Sequence, residues 1–171
     1  MKLIIIAMII LCVSYVAGIF YTQSIETNIN IKASKAEIWA LLADFNSYET
    51  WNPFIVSAKG SAKKGDSIEI IIKPPHSKST AFRPKLLVVD ENREIRWLGT
   101  FLLPGLFDGE HYFKIIPNSD GTVNLIQGEF FRGVLAYLFM SSILEDTRAG
   151  FILMNEALKI GVERRVLIKE E

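Results

Sequence analysis

Read for its apolar positions, the chain changes period several times. Leu3 to Phe20 is apolar or uncharged at every position, with Lys2 just before it. Residues 22–30 then alternate polar and apolar, the period of a half-buried strand. Ser34-Lys35-Ala36-Glu37 is a capping-box pattern, in which the Ser34 hydroxyl accepts from the amide three residues on and Glu37 reaches back. It opens a short helix carrying Ile38, Trp39, Leu41 and Leu42. Asp44-Phe45-Asn46-Ser47 breaks that helix, and a second short one runs to Trp51-Asn52-Pro53, where the proline stops it. Strand-like runs follow at 54–59, 67–73, 81–89, 94–101, 106–116 and 122–130, separated by turns such as Lys63-Lys64-Gly65-Asp66 and Pro117-Asn118-Ser119-Asp120-Gly121. Gly133 opens a helical stretch over about 134–164, with Leu135, Leu138, Phe139, Ile143, Phe151, Met154 and Leu158 at helical spacing. Its more polar middle, Ser141 to Gly150, is expected to bend.

The order is thus one strand, two short helices, about six strands and one long helix. Short turns between consecutive strands make an antiparallel sheet, and the long helix has only the concave side of that sheet on which to bury its apolar face. The expected class is α+β: a curved antiparallel sheet wrapped around a long C-terminal helix. Such a cleft is a place for an apolar ligand.

The N-terminal run needs its own account. As a helix of about 18 residues it spans roughly 27 Å, against a hydrocarbon core of ~30 Å. It is longer than a signal-peptide core of about 7–15 residues, although Val16-Ala17-Gly18 offers small residues near a cleavage point. A transmembrane helix is therefore expected over 1–21, followed by a ligand-binding domain at 24–165 and a tail at 166–171. Lys2 and the amino terminus favour the inner side, which places the folded domain outside the cytosol.

Composition narrows the function. The 171 residues suit one domain, half of them hydrophobic, with 19 basic and 19 acidic side chains. Balanced charge argues against a nucleic-acid binder. The single cysteine, Cys12, excludes an internal disulfide. Gly60 and Gly65 have phosphate-loop spacing, but Asp66 stands where lysine is required. No HExxH, cysteine cluster or G-x-S-x-G elbow is present, so no metal, cofactor or catalytic nucleophile is assigned.

Ser34-x-x-Glu37-Ile38-Trp39-x-x-Leu42-x-Asp44, followed by Tyr48-x-x-Trp51-Asn52-Pro53-Phe54, resembles the START-like SRPBCC superfamily, in particular its bacterial polyketide cyclase/dehydrase and lipid-transport branch. Gly109-Glu110-His111-Tyr112-Phe113, Glu129-Phe130-Phe131-x-Gly133 and Gly150-Phe151-x-x-Met154-Asn155-x-Ala157-Leu158-Lys159 resemble it as well. The likeness covers about residues 24–164. It implies a helix-grip fold with an internal ligand cavity and leaves the activity open.

Candidate cavity residues follow from face and type. His111 shares an alternation face with Gly109, Phe113 and Ile115, opposite Glu110, Tyr112 and Lys114. Glu129 shares a face with Leu125, Gln127 and Phe131; if buried, it needs a partner, which His111 or Arg83 can supply. Trp51 and Trp97 are candidates for the cavity mouth or floor, with core packing as the competing role. Phe151 and Met154 project from the long helix. The apolar stretch Phe101 to Phe107, with its Pro104-Gly105 turn, reads equally as a portal, a membrane-touching edge or core. His76 lies in a Pro-Pro loop and is expected to be solvated. The leading expectation is a membrane-anchored binder or carrier of a hydrophobic, lipid-like small molecule. The alternatives are a cofactor-independent cyclase or dehydratase-like enzyme using His111 and Glu129, and a protein-interaction module with a filled interior.

Overall fold

The computed structural model describes residues 2–20 and 22–170, without the side chains at 7, 14, 17–20, 137–142 and 169–170. The sequence readings on Ala17, Gly18, Leu138 and Phe139 lie outside the described residues. The elements run α1 (Lys2–Phe20), β1 (Thr22–Ile31), α2 (Lys35–Leu42), a 3-10 turn (Phe45–Ser47), α3 (Tyr48–Trp51), β2 (Ile55–Lys59), β3 (Glu69–Ile72), β4 (Thr80–Phe82), β5 (Lys85–Asp90), β6 (Glu94–Thr100), β7 (Asp108–Pro117), β8 (Val123–Arg132) and α4 (Val134–Glu170).

The capping box forms as its residues dictate. The Glu37 amide donates to Ser34 Oγ at 3.3 Å, and the Ser34 amide donates to Glu37 Oε2 at 3.0 Å. Asn52 takes over where Pro53 ends the next helix: its buried Oδ1 accepts from the amides of Phe54 and Ile55 at 3.0 and 2.8 Å. That pair of bonds turns the chain into β2.

All strand pairings are antiparallel, in the orders β1-β8-β7-β6-β5 and β2-β3-β4. The run 81–89, expected as one strand, splits because Pro84 has no N–H to give to a ladder. The two sheets are stitched together at that point. The Ile68 amide donates to the Pro84 carbonyl at 3.0 Å and the Leu86 amide to the Asp66 carbonyl at 2.8 Å. The result is one strongly curved wall of eight described strands rather than the smaller number read from the sequence.

Odd-numbered residues of β1, β6, β7 and β8 face inward. Ile25, Ile95, Trp97, Phe113, Ile115, Leu125 and Phe131 are all buried there. α4 packs across this face, against β1, β8, α2 and α3. It is continuous, so the polar middle does not break it, and it includes residues 166–170 that the sequence assigned to a tail. Asp146 and Thr147 are buried on its inner side instead of interrupting it. On the convex face Tyr112 lies between the Arg96 and Lys114 cations, each 5.1 Å from the ring centre, and donates to Glu26 at 2.6 Å.

α1 carries the N-terminal apolar run, and its side chains from Leu3 to Ile6 are exposed. At 19 residues it falls at the short end of the ~20 that a span requires, and it touches α4 and β8. Among the described residues no helix is long and apolar enough to cross a membrane, so the expected transmembrane helix is not found there.

Gly150 tests how tightly α4 is seated. A Cβ at this position would run into the Phe54 ring, which packs edge-on to Phe151 at 5.5 Å. Alanine gains about 1 kcal/mol of helix propensity, but overpacking costs typically 1–3 kcal/mol. Gly150→Ala is therefore expected to lower stability by about 1 kcal/mol in urea unfolding. A gain in stability would show that Phe54 is free to swing away.

Candidate functional site

The inner face of the sheet is a lattice whose rows are set by strand register. Trp97 pairs with His111, and His111 with Glu129, so the three stand side by side across β6, β7 and β8. In the next row Gly99 pairs with Gly109, and Gly109 with Phe131. Two adjacent strands thus carry no side chain at neighbouring inward positions. α4 bridges over this gap and does not fill it, and a cavity of about 240 Å³ remains.

The cavity is mostly apolar. Phe54, Phe82, Trp97, Phe107, Phe131 and Ile143 supply large surfaces, while Gly99 and Gly109 form the notch in its wall. Glu129 reaches into it because Gly109 has no Cβ; one added there would collide with Glu129 Oε1. The carboxylate is mostly buried, with its side chain 17% exposed.

His111 holds Glu129 in place. Its Nδ1 stands 3.4 Å from Glu129 Oε2, and its Nε2 stands 3.4 Å from Gln127 Nε2. The network assigns Nδ1–H as donor to the carboxylate and Nε2 as acceptor from the amide. The ring is stacked on Trp97 at 4.6 Å and 3°, and the edges of Phe113 and Phe151 close round it at 4.8 and 4.9 Å. Both nitrogens are engaged and the residue is 4% exposed. Glu129 Oε1, by contrast, makes no hydrogen bond among the described residues. Gln127 donates also to Met154 Sδ at 3.5 Å, and its Oε1 is buried without a partner among the described residues.

A second polar group lies at the mouth. The loop between β3 and β4 is pinned to α4 by Asp146, which accepts from the His76 amide at 2.9 Å and from the Ser77 hydroxyl. Burial opposes the Asp146 charge. The Ser77 and His76 hydrogen bonds and the nearby His76 ring outweigh it, so the carboxyl sits below its usual range. Ser77, Lys78, Asp146 and Thr147 line this end of the cavity.

Of the eight candidates named from the sequence, Trp97, His111 and Glu129 line the cavity. Phe113, Phe151 and Met154 are fully buried and pack behind them. Trp51 is elsewhere: it ends α3, edge-on to Tyr48 at 5.0 Å, with its indole N–H donating to Ser47. Arg83 is exposed in an outer groove beside Lys59 and Glu69, so it is not the partner of Glu129. The stretch 101–107 divides. Phe107 packs on Phe131 at 5.8 Å as cavity wall, whereas Leu102 and Leu103 are exposed. Its Gly105 and Leu106 carbonyls accept from the first amides of α4. The sequence reading missed the Gly99–Gly109 notch and the Asp146 latch. Both had a signal: glycines inside strands, and a polar residue three positions after Ile143 on the apolar stripe of a helix. Among the described residues no group of three or more His, Cys, Asp or Glu side chains is placed to hold a metal ion.

A family model described as polyketide cyclase/dehydrase and lipid transport matches residues 22–152, most of the chain. The chain belongs to that family. Solved structures agree on its fold. The Zhui aromatase/cyclase from Streptomyces sp. R1128 superposes with a TM-score of 0.68 at 13% identity, covering 85% of this chain and 96% of that one. A START superfamily protein from Mycobacterium smegmatis gives 0.60 at 19% identity, over 82% and 97%. Norcoclaurine synthase from Thalictrum flavum gives 0.64 at 11% identity, over 85% and 96%. No curated protein matches the sequence. At these identities the likeness is one of fold, the helix-grip arrangement expected from the sequence.

The latch makes the mouth of this family member testable. Asp146→Ala removes a charged acceptor, worth about 1.5–3 kcal/mol per bond, or roughly 10-fold or more in local opening. Hydrogen exchange at the His76 amide is expected to rise by that factor while the β7–β8 amides stay unchanged. Because the Asp146 carboxyl is lowered in the fold, the latch is intact above the ordinary carboxylate pKa and is lost as pH falls through the lowered value. Acid should reproduce the effect of the substitution.

Proposed function

We propose that the chain is a binding or carrier protein for a hydrophobic small molecule, held in the cavity between the sheet and α4. The single observation behind this reading is the Gly99–Gly109 notch, which leaves an aromatic-walled space where a structural core would be packed shut. The family adds support, since its description includes lipid transport. The Zhui relative is an aromatase/cyclase, and this makes chemistry on the ligand a second reading. The meeting of His111 and Glu129 on one cavity wall favours it. The engagement of both His111 nitrogens weighs the other way, because no ring nitrogen is left for a substrate.

We further propose that α1 holds the domain at a membrane surface. The exposed apolar side chains of α1 support attachment.

One preparation tests both. Cells expressing the full chain are fractionated, and the protein is washed with high salt, extracted and released into native mass spectrometry. The expected result is a membrane pellet that survives the salt wash and a protein carrying one apolar molecule. A protein found in the soluble fraction would remove the attachment. A protein that arrives empty and takes up no member of a panel of fatty acids, phospholipids and polycyclic aromatics would remove the carrier reading.

A further inference from the structure

The polar groups of the cavity restrict what can enter it, an inference that rests on the cavity being the ligand site. We infer that the preferred ligand is a compact, flat, apolar molecule bearing a neutral hydrogen-bond donor, a hydroxyl or phenol, and that the corresponding carboxylate is rejected.

Size comes first. The cavity of about 240 Å³ is roughly one and a half times the ~150 Å³ that takes up benzene in an engineered protein core. It has room for about two fused rings and lies below the ~300–1,000 Å³ of drug-sized sites. A two-chain lipid does not fit within it. Shape follows from the walls. The Trp97 indole and the His111 ring are stacked parallel to within 3°, and Phe131, with Phe107 packed on it, adds aromatic surface beside the glycine notch. Flat faces match flat ligands.

Polarity then selects the functional group. Glu129 Oε1 is an acceptor with no hydrogen bond among the described residues, next to the notch, on a side chain that is 17% exposed and lines the cavity. Its other oxygen is occupied by His111, which fixes its direction. A ligand hydroxyl pointed at Oε1 makes a charge-assisted hydrogen bond, stronger than a neutral one. An anionic ligand meets two carboxylates, Glu129 on the wall and Asp146 at the mouth. Among the described lining residues the only lysine or arginine is Lys78, exposed on the mouth loop. Arg83 lies outside, and His111 has both nitrogens engaged. Nothing described on the wall next to Glu129 is placed to neutralise an anion there.

The test compares 2-naphthol, naphthalene and 2-naphthoate, which share one skeleton. Each is titrated calorimetrically near neutral pH into the full chain held in amphipol, with amphipol alone as the blank. Naphthol is expected to bind about 10-fold or more tighter than naphthalene, and naphthoate to bind weaker than both. In the isosteric Glu129→Gln variant the advantage of naphthol over naphthalene should shrink below about 3-fold, and naphthoate should gain. Naphthoate binding as tightly as naphthol would overturn the inference while leaving the ligand site standing. So would naphthoate binding that disappears in Lys78→Ala, because it would place an anion at the mouth. Failure of all three to bind would remove the ligand site itself, and the inference with it.

Discussion

Strand register decides what lies beneath α4. With β6, β7 and β8 in antiparallel register, Gly99 and Gly109 become neighbours, and Trp97, His111 and Glu129 become the adjoining row. A one-residue slip of β7 would turn His111 and Gly109 to solvent and bring Glu110 and Tyr112 inward. The convex face holds the register by chemistry of its own. Arg96 is bonded to Glu94 and Glu110, and the Tyr112 hydroxyl to Glu26, all of them on even-numbered, outward positions. Of these, the Arg96–Glu110 ion pair and the Tyr112–Glu26 hydrogen bond run between strands and favour the register on which the cavity depends.

The geometry explains a carboxylate in an apolar wall. Burying a charge is costly unless it is paired. Gly109 provides room for Glu129, His111 supplies one hydrogen bond, and Trp97, Phe113 and Phe151 hold the imidazole so that its direction does not vary. His111 is therefore placed to fix the direction of the Glu129 carboxylate. The mouth repeats the device on a smaller scale, with Asp146 tying a loop to the helix it must approach.

Much of this was legible in the sequence wherever local chemistry dominates. The capping box at Ser34, the stop at Pro53, the hairpin at Asn118–Gly121 and the inward face of His111 all follow from neighbours within a few residues. So does the order of elements, and with it the family. The positions of Trp51 and Arg83 did not follow. Trp51 is claimed by Tyr48 and Ser47 within its own short helical turn, and Arg83 precedes the proline that ends β4. The pairing of Gly99 with Gly109 is a tertiary fact: each glycine is visible alone, but the gap exists only once the two strands are aligned. The N-terminal run illustrates a different limit. Apolar composition announces a helix, yet among the described residues no helix is long and apolar enough to cross a membrane.

The most direct test fills the notch. A Cβ at Gly99 would meet nothing nearer than the Gly109 carbonyl oxygen and Pro84 Cβ, each at 3.9 Å, so a side chain there enters the cavity without forcing the backbone. Binding of a two-ring aromatic to Gly99→Leu should be measured beside that of the wild type, together with thermal unfolding. The account predicts a variant that unfolds at or above the wild-type temperature and has lost the ligand at least 10-fold. Undiminished binding to a folded Gly99→Leu protein would contradict it, because the ligand would then lie somewhere other than the space the two glycines leave.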